Sequence, residues 1–116
     1  MSSIRGSCHC GAVTFEAEAD LSKLATCNCS ICGRTGAIMV FVPDSALVTH
    51  GDELLTDYQF GKRSIHHVFC SRCGVRPFGR GRGEDGQAWA MVNVRCVDGI
   101  DTHALEIGQR YDGKAL

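Results

Sequence analysis

The segment Thr26-Cys-Asn-Cys-Ser-Ile-Cys-Gly33 places Cys27, Cys29 and Cys32 within six residues. Thiolates at that density are soft metal ligands, and a structural tetrahedral zinc takes four of them. Three protein ligands with an exchangeable fourth is instead the arrangement of catalytic zinc. Elsewhere Cys8 and Cys10 form a C-x-C, Cys70 and Cys73 a C-x-x-C, and Cys96 stands alone. No single zinc uses all eight cysteines.

The spacings suggest a partition. In Phe69-Cys-Ser-Arg-Cys-Gly74 the first sulfur can fold back over a turn whose backbone N–H groups donate to it, and the glycine accepts the strained dihedral. In an extended C-x-C the two residues lie about 6.6 Å apart, too far for two Zn–S bonds of about 2.3 Å. A bend must close that gap, and Gly11 after Cys10 supplies one. Joining the two pairs gives a closed four-thiolate site from Cys8, Cys10, Cys70 and Cys73. Such a site ties together turns roughly sixty residues apart, where a crosslink stabilises most in principle. Cys27, Cys29 and Cys32 then form a second site. Cys96 is either its fourth ligand or a buried thiol. The buried thiol is the preferred reading, since Cys96 has no neighbouring cysteine and no turn glycine before Gly99. A three-thiolate site carries about −1 charge with zinc and suits an incoming thiol, which the metal would deprotonate.

These residues must be positioned by short strands. Cys10-Gly-Ala-Val-Thr-Phe-Glu-Ala-Glu reads as a strand leaving a glycine turn, and residues 38–42 as a buried strand stopped by Pro43. Residues 54–60 and 64–70 flank Gly61-Lys-Arg63 as a hairpin, and further strands are expected at 88–95 and near 105–107. No window has convincing helical amphipathicity beyond a turn or two after Cys32. The expected fold is therefore mostly β, a single domain over residues 1–116 with antiparallel strands. Gly81-Arg-Gly-Glu-Asp-Gly86 matches G-x-G-x-x-G, but QAWAMVNV follows it, so it reads as a glycine-rich loop between strands and not as a dinucleotide fingerprint.

A net charge of −1 gives no global drive toward nucleic acid or anionic membranes. The sequence has no signal-peptide pattern and no apolar run of membrane-spanning length. The expected compartment is cytoplasmic, where thiols stay reduced, so eight cysteines point to metal before disulfides.

The motifs Gly6-Ser-Cys-His-Cys-Gly-Ala-Val13, Cys27-Asn-Cys-Ser-Ile-Cys32 with Gly36-Ala37, and Phe69-Cys-Ser-Arg-Cys-Gly74 resemble those of the glutathione-dependent formaldehyde-activating enzyme family, also called the GFA or centromere-protein-V family. Val92-Asn-Val-Arg-Cys-Val-Asp-Gly99 and Tyr111-Asp-Gly113 resemble its later signatures. The resemblance implies a β-tent fold and two zincs per chain. One is a structural zinc on Cys8, Cys10, Cys70 and Cys73, and the other a more labile catalytic zinc on Cys27, Cys29 and Cys32. It also implies a carbon–sulfur lyase that condenses glutathione with formaldehyde to S-hydroxymethylglutathione. The small-molecule partners would be a thiol and an aldehyde. The sequence does not identify an oligomeric state or a proton donor.

Half of the Lys and Arg residues lie between 62 and 82, uninterrupted by Asp or Glu. Arg72 and Arg76, near the second metal turn, are candidates to hold the carboxylates of the thiol substrate, with Arg34 a further candidate. The same residues could serve nucleic acid or simply form a solvated face. His66 and His67 precede Cys70; in a strand they face opposite sides, so at most one can orient a sulfur or move a proton. His9 would point away from the first site, His50 and His103 carry no signal, and Trp89 reads as core. The alternative to the lyase is a non-catalytic binding module in which both metals are structural.

Overall fold

A computed structural model describes residues 1–113. Its strands are β1 (Ser2–Ser7), β2 (Thr14–Ala19), β3 (Ala25–Cys27), β4 (Met39–Pro43), β5 (Val48–His50), β6 (Leu55–Tyr58), β7 (Ile65–Cys70), β8 (Phe78–Arg82), β9 (Ala88–Asn93) and β10 (Gln109–Tyr111). A single helical turn, α1, covers Cys32–Thr35. The strands form a three-stranded sheet in the order β1-β2-β5 and a seven-stranded sheet in the order β10-β3-β4-β9-β8-β7-β6. Neighbouring strands are antiparallel except β3 and β10, which run parallel.

Period-two alternation decides which faces meet. Phe15, Ala17 and Ala19 of β2 are buried while Glu16 and Glu18 face out. Val40 and Val42 of β4 and Ala90 and Val92 of β9 are buried on the facing sheet. Phe15 meets Phe78 of β8 edge-on, with ring centroids 6.2 Å apart, and this pair joins the two sheets. On the other side of the large sheet, Met39 and Met91 pack against Cys32. One sheet face thus carries the main core and the opposite face carries a cysteine cluster.

The expected strands at 54–60, 64–70 and 88–95 correspond to β6, β7 and β9 with trimmed ends; that at 38–42 corresponds to β4, shifted by one so that Pro43 does not stop the strand but pairs with Trp89 at its end. The β6–β7 turn places both Gly61 and Arg63 at positive φ. The glycine-rich run 81–86 straddles the end of β8 and the turn into β9. Two expectations need correction. No strand forms at 105–107; Leu105 and Ile107 pack against the core, but the backbone joins a ladder only at β10. The bend arises because the Gly108 and Gln109 N–H groups both donate to the Leu24 carbonyl, each at 3.0 Å. Nor is Trp89 core: it is half-exposed in β9 beside the exposed Phe41 and Tyr111.

Phe15→Ala removes the ring that links the sheets and leaves a cavity in the main core. We expect a loss of about 3–5 kcal/mol of stability, measured by denaturant unfolding, with metal content unchanged in the folded fraction.

Candidate functional site

Two turns bring four cysteines together. Cys8 follows β1; its N–H donates to Val13 carbonyl at 3.0 Å, and the Val13 N–H donates to Cys8 Sγ at 3.4 Å. Cys70 ends β7; its N–H donates to Val75 carbonyl at 3.0 Å, and the Arg72 N–H donates to Cys70 Sγ at 3.4 Å. Each loop thus closes over six residues and gives a sulfur an N–H donor. The four sulfurs of Cys8, Cys10, Cys70 and Cys73 lie within 4.8 Å of one another. Cys10 Sγ is 3.7 Å from both Cys8 Sγ and Cys70 Sγ. A tetrahedron with metal–sulfur bonds of about 2.3 Å has edges of about 3.8 Å, so the donor set fits zinc.

Electrostatics point the same way. Backbone hydrogen bonds from Cys10 and then Val75 pull the Cys73 thiol down to about 6. A backbone hydrogen bond from Ala12 favours the Cys10 thiolate. Desolvation and the neighbouring Cys8, Cys70 and Cys73 thiols outweigh it and push Cys10 up to about 11. Four thiols this close cannot all ionise without a cation among them.

The second cluster is built on one end of the large sheet. β3 delivers Cys27, the following loop carries Cys29, and Cys32 opens α1. The Cys29 N–H donates to Cys27 Sγ at 3.4 Å and the Cys32 N–H to Cys29 Sγ at 3.5 Å. Gly36, left-handed with φ 68°, ends the turn. The three sulfurs again lie within 4.8 Å of one another, and they form the second of two groups of potential metal ligands among the described residues. Burial, then the Cys29 thiol, pushes Cys32 up to about 12. Three sulfurs are too few to close a tetrahedron, so this donor set fits a metal with one further ligand.

The C-terminal segment covers this cluster. Tyr111 of β10 pairs with Cys27. The Asn28 N–H donates to Tyr111 carbonyl at 3.2 Å, and Asn28 Nδ2 donates to Asp112 Oδ1 at 2.9 Å. A Cβ at Gly113 would sit 2.6 Å from both Cys27 Sγ and Cys29 Cβ, so only glycine passes there. Spacing arguments had no signal for this cover.

Beside the cluster lies a cleft of about 340 Å³, lined by Ser30, Ile31, Arg34, Tyr58 and Phe60. Arg34 Nη1 donates to Ser30 carbonyl at 2.8 Å, so its guanidinium borders the cleft. Phe60 stacks on His67 with centroids 5.2 Å apart. Of the two adjacent histidines, His66 is exposed and meets Asp57 at 2.7 Å, while His67 is buried. Burial, then the Arg76 charge, lowers the His67 pKa. Arg76 is half-buried, and charge on Cys32 and Cys29 acts on its guanidinium. Arg72 is exposed in the turn of the first cluster and does not line the cleft. His9 is exposed in the other turn of that cluster.

Cys96 joins neither group. It sits in a helical turn, Val94–Cys96, where extended backbone was expected. Its Sγ lies 3.8 Å from the Arg76 carbonyl, as a weak donor. Burial, then the Cys8 and Cys73 charges, pushes its thiol up to about 11.

Two predictions follow from this geometry. Cys70→Ser should be insoluble or melt far below wild type, since it opens the tie between the two turns, whereas Cys96→Ala should cost on the order of 1 kcal/mol and keep the wild-type metal content. Thermal melts and metal analysis of the pair check this. The second concerns pH. Because the folded state lowers the His67 pKa from 6.5, the unfolded chain binds more protons as pH drops through that value and stability falls with it. Between pH 7 and 5 the wild type should therefore lose more stability than His67→Phe, measured by urea unfolding at each pH.

Residues 3–110 match the family described as glutathione-dependent formaldehyde-activating enzyme, GFA. A Halomonas elongata protein provisionally named a glutathione-dependent formaldehyde-activating enzyme is 37% identical over 80 residues, covering 60% of this chain and 51% of that protein. The chain thus spans about half the length of this curated relative. A Rhodobacter sphaeroides protein of known crystal structure superposes with a TM-score of 0.81 at 35% identity, over 91% of this chain and 98% of that one. The family match runs through both cysteine clusters and the strands that carry them, and the chain belongs to the GFA family.

Proposed function

We propose that the protein is a zinc-dependent carbon–sulfur lyase of the GFA type. It adds a thiol, glutathione, to a small aldehyde such as formaldehyde, or runs the reverse cleavage. The observation that carries this reading is the inequality of the two clusters: four sulfurs in one, three in the other, with a cleft beside the three. In this reading Cys8, Cys10, Cys70 and Cys73 hold a structural zinc, and Cys27, Cys29 and Cys32 hold the second, catalytic one.

When bound at the second cluster, zinc would supply a positive centre that favours the thiolate form of a thiol entering the open position. Arg34, at the cleft, offers a charge-assisted contact to a carboxylate of glutathione. Tyr58 and Phe60, both exposed and stacked with centroids 5.8 Å apart, form an aromatic wall of the cleft. Arg76 adds positive charge. Arg72, on the turn of the other cluster, is the weaker of the candidate substrate contacts. Attack of the sulfur on the carbonyl carbon makes the C–S bond, and the proton given up by the thiol ends on the new hydroxyl. Reduced glutathione is a cytoplasmic thiol, which agrees with a chain rich in free cysteines.

The test is acceleration of S-hydroxymethylglutathione formation over the spontaneous rate, followed by NMR exchange with labelled formaldehyde on zinc-loaded protein. Wild type should accelerate the exchange. Cys29→Ala should fold, keep about one zinc and lose the acceleration. Wild type that accelerates nothing, or Cys29→Ala that keeps both zincs, would favour a binding module with both metals structural.

A further inference from the structure

Arg76 is a half-buried cation with no carboxylate partner among the described residues. Its Nη1 is inaccessible and has no hydrogen-bond partner among the described residues. The ion pairs among those residues involve Arg5, Lys23, His66 and Arg80, not Arg76. The backbone beneath it is pinned, since Asn93 Nδ2 donates to the Arg76 carbonyl at 3.0 Å. Its guanidinium has a made space. A Cβ at Gly79, in β8, would lie 3.4 Å from Arg76 Nη2 and 3.3 Å from Met91 Cε. Met91 in turn packs against the group formed by Cys32, Ala37 and Met39, with Cys27 and Cys29 beside it. The guanidinium therefore lies on the Met91 side of the second cluster, near enough for charge on Cys32 and Cys29 to act on it.

A buried charge is retained where an opposite charge compensates it. Three thiolates around a divalent metal carry a net charge of about −1, which one guanidinium cancels. An incoming thiolate then brings the assembly to about −1 instead of about −2. Without Arg76, the open position would disfavour an anion and favour a neutral ligand such as water.

We propose that Arg76 is the counter-charge of the second cluster, and that it sets the affinity of the open position for thiolates as a class, with or without carboxylates. This rests on the reading that the Cys27, Cys29 and Cys32 cluster holds a divalent metal with an open position. It differs from a substrate contact, in which Arg76 would grip a carboxylate of glutathione.

The two roles separate with two thiols. Cobalt(II)-loaded protein reports sulfur ligation through its charge-transfer absorption, with no turnover required. Wild type, Arg76→Met and Arg76→Lys would each be titrated with glutathione and with 2-mercaptoethanol, which has no carboxylate. At an effective dielectric constant of about 20, loss of a unit charge within several ångströms means that Arg76→Met should weaken both thiols by about ten- to a hundredfold. Arg76→Lys should stay within about threefold of wild type for both, because the charge survives. The first-cluster metal and the melting temperature report whether Arg76→Met is folded; if it is not, the lysine variant decides. Loss of glutathione binding with unchanged 2-mercaptoethanol binding, in either variant, would overturn the proposal in favour of a carboxylate contact. Unchanged binding of both thiols in folded Arg76→Met would overturn it outright. Wild type that binds one metal per chain, or shows no spectral response to either thiol, would sink the open-position reading and this inference with it.

Discussion

Four thiols packed within 4.8 Å of one another repel as soon as more than one ionises. The cluster of Cys8, Cys10, Cys70 and Cys73 is therefore a bonded assembly only when a cation sits among its sulfurs. With a metal bound, it would pin the turn after β1, in the small sheet, to the turn between β7 and β8, in the large one. Between the sheets lies the apolar core around Phe15, Phe78, Val40 and Val92. Such a crosslink would close the chain entropically, while the core supplies the hydrophobic stabilisation that a domain of this size can muster.

The second cluster differs in what it contributes. It sits on the opposite face of the large sheet, against two methionines, and it ties β3 to nothing more distant than α1 through sulfur. Its long-range anchorage comes instead from backbone: β10 pairs in parallel with β3, and Asp112 and Gly113 close over Asn28 and the sulfurs. A site fastened by hydrogen bonds can release and regain a metal without unfolding the sheet. That division of labour would suit one closed and one open metal site in a small domain.

Much of this was legible in the sequence because the two controlling signals are local. C-x-C and C-x-x-C spacing identified both clusters, alternation marked β2, and continuous apolar runs marked β4 and β9. The strands that escaped notice are those whose residues have little intrinsic preference for extended structure. β8 reads Phe-Gly-Arg-Gly-Arg, and its glycines are present because β7 approaches closely; a Cβ at Gly79 would lie 3.1 Å from the His66 carbonyl. β1 has a single large apolar residue, Ile4, and β3 and β10 are three residues each. Such strands exist through pairing and not through propensity. Leu105 and Ile107 misled in the opposite direction, since burial of alternating side chains does not require a ladder. Arg72 and Arg76 looked equivalent in sequence, four residues apart, and only the path of the chain after Gly74 sends one to solvent and the other toward the second cluster.

The central claim is that one metal site is closed by the protein and the other is finished by an outside thiol. X-ray absorption at the zinc edge measures this directly on protein loaded with two zincs. The account predicts an average of about 3.5 sulfurs per zinc, rising to about 4 when glutathione is added. Four sulfurs per zinc before any thiol is added would contradict it, because Cys96 or another protein group would then already complete the second site.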